Sequence, residues 1–145
     1  LGDHIHQAGS VVAPDRLRFD FTHTQALTQE QLEAVERAAN QRILADEPVN
    51  ERVMPLEQAR KIPGVRAVFG EKYPDPVRVI AIGADVEAAP EAAAVEFCGG
   101  THLDRTSRIG LLKIVAEESV AKGVRRRTAV TGRAAHETVR RMDET

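Results

Sequence analysis

The sequence predicts an α+β domain, a largely antiparallel β-sheet packed with a few helices, and three observations carry that prediction. Stretches in which apolar and polar residues alternate, or that run apolar throughout, outnumber stretches with helical spacing. Most links between them are too short for the helical crossovers that parallel strands need. With 145 residues, one domain is long enough to bury roughly two-thirds of its unfolded surface and to fold without disulfides.

Taken in order, Gly9-Ser10-Val11-Val12 reads as a turn entering a short strand, and Pro14-Asp15 is a turn signal. His4 and His6 alternate, so they share one face of an extended segment, where they either reach a metal or stand in solvent. From Arg16 to His23, Leu17, Phe19 and Phe21 point one way and Arg16, Arg18, Asp20 and Thr22 the other, which predicts a half-buried strand with core aromatics. Thr28 to about Asp46 is a helix. Thr28 is its N-cap, Gln31 completes a capping box, Leu27 and Leu32 form a hydrophobic staple, and Leu32, Val35, Ala39 and Ile43 give the apolar stripe. Glu36 and Arg37 are assigned to its solvated face, and Pro48 ends it.

Val49 to Met54 is a strand, and Pro55 to Lys61 a short packing helix with Pro at its first position. After the Pro63-Gly64 turn, Val65, Ala67 and Phe69 alternate as a short strand. A polar loop follows with Tyr73, which either packs or contacts a base or sugar. Val77 to Ile82 is nearly all apolar, so both faces of that strand are covered. Ala84 to Ala94, with Pro90 inside, is a surface loop or a ragged helical turn, and Val95 to Phe97 a strand. Ile109 to Ala116 reads as a buried strand through Leu111, Leu112, Ile114 and Val115. Val124 to Thr131 is the last strand, and Gly132 opens a terminal helix through Val139 and Met142. Arg125, Arg126 and Arg127 run in a row, so neighbours point to opposite faces. Either one face binds carboxylates or phosphates, or this is a solvated edge strand whose charges discourage pairing.

Composition narrows the function. One cysteine excludes an internal disulfide, and no apolar run approaches membrane length, so a reducing, cytoplasmic setting and no membrane partner are expected. The formal charge of -2 argues against coating DNA or RNA by bulk charge, leaving a local patch for any RNA contact. No Walker loop or dinucleotide fingerprint occurs. The chain starts at Leu1 rather than Met, as an excised fragment does.

The chemically distinctive stretch is Glu96-Phe97-Cys98-Gly99-Gly100-Thr101-His102. A thiolate and an imidazole four positions apart, joined by a flexible segment, can grip one zinc ion. Zinc takes four ligands, or three plus water, so the pair is half a site. Two rival readings stand beside it: an inert core cysteine with His102 capping a loop, or a Cys98 nucleophile paired with a histidine.

Taken together, Gln7-Ala8-Gly9-Ser10, Arg18-Phe19-Asp20-Phe21-Thr22-His23, Phe69-Gly70-Glu71-Lys72-Tyr73, Cys98-Gly99-Gly100-Thr101-His102 and Gly123-Val124-Arg125-Arg126 closely resemble the editing domain of alanyl-tRNA synthetase. The motifs fall in that family's order and cover nearly the whole chain. Free-standing alanyl-tRNA editing proteins and the editing domain of threonyl-tRNA synthetase look similar in outline. The resemblance implies that family's α+β fold, with residues 1–132 as the editing domain and 133–145 as the start of a helix leading onward. It implies hydrolysis of the ester joining serine or glycine to the 3′ adenosine of alanine tRNA. It also implies a zinc held by Cys98 and His102 with a His-x-x-x-His pair that would lie shortly before Leu1. Such a fragment is expected to bind zinc weakly or not at all and to have little deacylase activity unless His4 or His6 substitutes. Gln7 falls where the family places a glutamine associated with rejecting the correct amino acid, and Thr101 is counted with it in substrate binding. Arg125 and Arg126 fall in a segment lining the RNA approach. Aminoacylation with ATP and magnesium belongs, by the same resemblance, to a separate domain.

Two other functions compete. One is a non-catalytic RNA-binding module using Arg105, Arg108 and Arg125 to Arg127 on phosphates. The other is a cysteine hydrolase, marked by fast alkylation of Cys98 near neutral pH.

Overall fold

The computed structural model describes residues 1–67, 71–92 and 94–145, with no side-chain description at 89–91. In chain order the strands are β1 (Gln7–Ala13), β2 (Arg16–Thr22), β3 (Val49–Met54), β4 (Val77–Ile82), β5 (Ala94–Phe97), β6 (Leu112–Ala121) and β7 (Val124–Thr131). The α-helices are α1 (Gln29–Leu44), α2 (Leu56–Arg60) and α3 (Gly132–Asp143), with 3-10 turns at Val86–Glu91 and Thr106–Ile109. All strand pairs are antiparallel, in line with the predicted class. Contacts cluster in two units, Leu1–Leu44 with Ile109–Thr145, and Ala45–Arg108. The sequence reading treats 1–132 as one domain. The division arises because each unit pairs strands only within itself.

In the first unit the sheet order is β1-β2-β7-β6. The β6–β7 hairpin turns at Lys122-Gly123, where Gly123 has φ 75, a left-handed conformation that costs an L side chain strain. β7 is therefore interior. It pairs with β2 on one side and β6 on the other, so the edge-strand reading of its three arginines is corrected. Of the β2 aromatics, Phe21 is core at 4% exposure, whereas Phe19 is 37% exposed and is not.

Helix α1 starts as its sequence predicts. Thr28 N donates to Gln31 Oε1 at 3.0 Å and Gln31 N to Thr28 Oγ1 at 3.1 Å, so each side chain satisfies an amide that the first turn leaves without a partner. Ile43 and Leu27 are buried, but Val35 is 39% exposed. Glu36 departs from its assignment to the solvated face. Its carboxylate accepts from Ile114 N at 2.9 Å and Lys113 Nζ at 3.1 Å. One turn later Asn40 Oδ1 accepts from Leu112 N at 2.9 Å, and its Nδ2 donates to Leu112 O at 2.9 Å. Residues 36 and 40 share a helix face, and there they satisfy the open edge of β6 as a further strand would. That strand is corrected too: it is a half-buried edge ten residues long. A register shift between Ile114 and Ala116 leaves Val115 45% exposed.

The turn into α3 depends on two glycines. Gly110 (φ 73) and Gly132 (φ 57) approach so closely that a Cβ on Gly110 would lie 3.2 Å from Gly132 Cα.

In the second unit β4 lies between β3 and β5 and is covered on both faces, as its apolar run predicts. Val77, Val79 and Ala81 of β4 pack with Ala59, Val86 and Val95. Tyr73 makes an edge-to-face contact with Phe97 at 5.1 Å, the packing alternative of its reading. Pro55 is the residue before α2 rather than its first helical residue, and Leu56 N is held by Asp75 Oδ1 at 3.0 Å. The strand expected through Val65, Ala67 and Phe69 is described only to residue 67. There Arg66 N donates to Val95 O at 2.8 Å, and Arg66 forms an isolated bridge with Glu96. Its Phe69 end, and the start of the Phe69–Tyr73 motif, lie outside the described residues. Among the described residues no helix is long and apolar enough to cross a membrane.

Candidate functional site

Cys98 follows β5 and extends its pairing with β4. Cys98 N donates to Arg78 O at 3.1 Å, and Arg78 Nε returns a bond to Cys98 O at 2.9 Å. The backbone of Cys98 is thus held from both sides, while its thiol is free and half-buried. Gly99, Gly100, Thr101 and His102 are exposed. A Cβ on Gly99 would meet nothing within 4 Å, and one on Gly100 would reach Cys98 Sγ at an ordinary 3.7 Å. Lack of space therefore does not explain these glycines.

Beyond His102 the chain is anchored again. Asp104 O accepts from Val49 N at 2.8 Å, and Arg105 Nε donates to Asp46 Oδ1 at 2.7 Å. Asp46 adopts φ 52, and Arg105, then Ser107, hold its carboxyl below the usual range. Gly99 to His102 form an exposed segment between two fixed ends.

Whether these donors fit zinc depends on their number. Among the described residues no group of three or more His, Cys, Asp or Glu side chains converges as a metal cluster. Cys98 and His102 fall short of the three or four ligands zinc takes, so the residues present do not complete a site. The histidines considered as substitutes belong to the first unit. There His4 Nε2 lies 2.8 Å from His23 Nδ1 with the rings stacked, and His6 is exposed. Gln7, also exposed in that unit, donates from Nε2 to Ser10 Oγ at 3.1 Å. Gln7, Arg125 and Arg126 thus belong to one unit, and Cys98, Thr101 and His102 to the other.

The arginine run is resolved by the pleat. Arg125 and Arg127 face Phe21 and Phe19 across β2, and Arg126 faces Asp20. Arg126 grips Asp20 with both arms, Nε to Oδ1 at 2.8 Å and Nη2 to Oδ2 at 3.1 Å. That bond, ahead of the opposing effect of burial, holds the Asp20 carboxyl below its ordinary value. Arg125 donates to Glu117 Oε1 from Nε at 3.0 Å and from Nη2 at 2.6 Å. Leu27 N bonds the same oxygen at 3.1 Å, and Arg127 Nη2 lies 2.9 Å from Glu117 Oε2. Burial raises the Glu117 carboxyl, but Arg125, the Leu27 amide and Arg127 together outweigh it and hold the group below its ordinary value. Arg105 and Arg108 are also paired, with Asp46 and Asp104. A phosphate reaching Arg125 or Arg126 must compete with a carboxylate already in place.

Sequence reasoning missed Glu117, and it placed Asp20 merely on the polar side of β2. The available signal was a Glu117-Glu118 pair and a lone Asp20 between aromatics, in strands that had to lie near three consecutive arginines.

Residues 77–126, which include Cys98, Thr101, His102, Arg125 and Arg126, match the family described as the Threonyl and Alanyl tRNA synthetase second additional domain. The chain is 52% identical over 135 residues to an alanine–tRNA ligase of Acetivibrio thermocellus, covering 93% of this chain and 14% of that protein. It is 52% identical over 141 residues to the alanine–tRNA ligase of Rhodopseudomonas palustris, covering 93% and 15%. The Candida albicans alanine–tRNA ligase is 48% identical over 144 residues, covering 94% and 15%. The chain therefore spans about a seventh of the length of these relatives.

Proposed function

Over residues 77–126 this chain belongs to the threonyl and alanyl tRNA synthetase second additional domain family, and from that premise we propose that it acts in editing alanine tRNA. The substrate is tRNA carrying serine or glycine by an ester on its 3′ adenosine. Water adds at the ester carbonyl and the bond to the ribose oxygen breaks, releasing the amino acid and a tRNA with a free hydroxyl. The chemistry answers a physical need. A binding pocket shaped for alanine rejects a smaller or near-isosteric amino acid only weakly, so accuracy requires a second, hydrolytic site. The larger protein of this reading joins alanine to its tRNA with ATP and magnesium in another domain.

The observation that carries the proposal is that one family match spans both the Cys98–His102 stretch and the Arg125–Arg126 pair, in a chain about half identical to alanine–tRNA ligases. Within the proposal Cys98 and His102 supply part of the reacting centre and Thr101 is substrate-binding in the second unit, while in the first unit Gln7 is substrate-binding and Arg125 and Arg126 are RNA-binding. No step is assigned to zinc, since the described residues offer no third ligand. Zinc affinity of the chain alone is accordingly expected to be low.

The test compares release of serine, glycine and alanine from alanine tRNA by this chain and by a full-length ligase carrying it, with and without Cys98→Ala and His102→Ala. The expected outcome is release of serine and glycine by the full-length protein, lost in both variants, and little by the chain alone. Unchanged release in the variants, or equal release of alanine, overturns the reading. Salt-sensitive tRNA binding with no hydrolysis in either form would favour the RNA-binding module.

A further inference from the structure

The last regular pair between β4 and β5 joins Val79 to Phe97, and Cys98 stands one position beyond it. Its amide still donates to Arg78 O at 3.1 Å, as a further rung of the ladder would. In a regular antiparallel pair the amide of the facing residue returns the bond. Here the side chain returns it, with Arg78 Nε donating to Cys98 O at 2.9 Å. The guanidinium is itself held from β3, where Glu51 Oε2 accepts from Arg78 Nη1 at 3.4 Å, and the Arg78 side chain is only 28% exposed. A planar fork gripped at two of its three nitrogens keeps one orientation. The remaining nitrogen, Nη2, is buried with no hydrogen-bond partner among the described residues, so the arrangement is not the one that gains most bonds for stability.

The carbonyl of Cys98 lies in the peptide plane shared with Gly99, so a bond to it fixes the direction in which the chain leaves Cys98. Gly99 to His102 are exposed, and the next backbone bond among the described residues is the one Asp104 O accepts from Val49 N at 2.8 Å. Two glycines without side chains leave that segment wide conformational freedom. With the Arg78 bond made, the freedom begins at Gly99. Without it, the freedom begins at Cys98, and the residue that bears the thiol turns with the segment.

We propose that Arg78 is a positioning residue for the ester hydrolysis, holding Cys98 in a fixed orientation from which Thr101 and His102 are presented. The inference rests on the editing reading and adds to it a residue that touches neither the ester nor the RNA. Arg78 acts through Cys98 O, and Glu51 acts through Arg78. All of these residues belong to the second unit, so the device is complete within it.

The test measures serine release from alanine tRNA by a full-length ligase carrying this chain, and NMR spectra of the chain alone. In Arg78→Met, kcat is expected to fall about 30-fold while KM changes by less than about threefold, the split of a group that orients reacting residues without binding substrate. Arg78→Lys, which reaches one acceptor but cannot fork between two, should recover part of kcat. In the chain alone, Arg78→Met should shift the Cys98 carbonyl and Gly99 amide resonances and lower the Cys98 order parameter, while Ala59 in the core of the same unit keeps its shift. Unchanged Cys98 and Gly99 resonances, or a rise in KM with kcat unaffected, overturn the proposal. If Arg78→Met does not fold, Glu51→Gln, at a side chain 64% exposed, should give a smaller loss of kcat with shifts at the same two resonances, and no change in either overturns it. Absence of serine release by the wild-type ligase counts against the editing reading alone, and the Cys98 and Gly99 resonances then decide whether Arg78 sets the segment.

Discussion

Asp20 and Arg126 face one another across β2 and β7 in a two-armed ion pair, with Asp20 only 8% exposed. The arginine lowers the Asp20 carboxyl below its ordinary value of 3.8, so the folded chain holds its proton less tightly than the unfolded chain. The stabilisation is therefore complete above the ordinary value and is lost as pH falls through the lower folded one. Asp20→Asn is expected to cost about 2 kcal/mol near neutral pH, because it removes the two-armed carboxylate partner of Arg126 and leaves only Glu118, at 3.9 Å. The variant should also lose less stability than wild type on going from pH 5 towards roughly pH 2. Urea denaturation at a series of pH values measures both effects, and parallel curves for the two proteins would remove Asp20 as the cause.

Glu117 and Arg127 form an ion pair, half-buried at the carboxylate and buried at the guanidinium, whose two ends are not equivalent. Glu117→Gln leaves two guanidinium groups without a counter-charge and is expected to cost about 3 kcal/mol in chemical denaturation. Arg127→Met removes a buried cation with unsatisfied nitrogens and is expected to stay within about 1 kcal/mol of wild type, or to stabilise. A larger loss from Arg127→Met than from Glu117→Gln would reverse this account.

The Thr28–Gln31 capping box should behave as a coupled pair. Thr28→Ala is expected to cost about 1 kcal/mol. Both bonds run between the same two residues, so adding Gln31→Ala should cost less than it does alone. A double-mutant cycle by thermal unfolding reads the coupling, and strict additivity would mean the box contributes nothing as a unit.

Glycines at two places should respond in opposite ways. Gly110→Ala combines a φ of 73 with a Cβ 3.2 Å from Gly132 Cα and is expected to destabilise by about 2 kcal/mol. Gly100→Ala meets only Cys98 Sγ at 3.7 Å and should leave stability within about 0.5 kcal/mol of wild type. Thermal unfolding of the two variants under one condition makes the comparison.

The local signals settled a good deal. Thr28 with Gln31 set the start of α1, the apolar run at 77–82 identified a strand buried on both faces, and the alternation at 16–22 marked β2. Each depends on residues within one element and on a period of 2 or 3.6, which the chain carries wherever it folds. The Cys98–His102 spacing was equally plain as a pair of soft donors, but sequence cannot count ligands that come from elsewhere.

Pairing between distant strands was decided only by the tertiary structure. That β7 is interior, that Arg126 faces Asp20 and that Arg125 and Arg127 share Glu117 follow from a register joining residues 8 to 106 positions apart, which no local pattern encodes. The same holds for Glu36 and Asn40, polar residues that look solvated along the helix until the open edge of β6 is brought against them. The sequence by itself determined most of the strands and helices, though not the bounds of β6, and it held the motifs that resemble an editing domain. Which charges meet was decided by packing, because a charge pair depends on distance in space while the chain records only order.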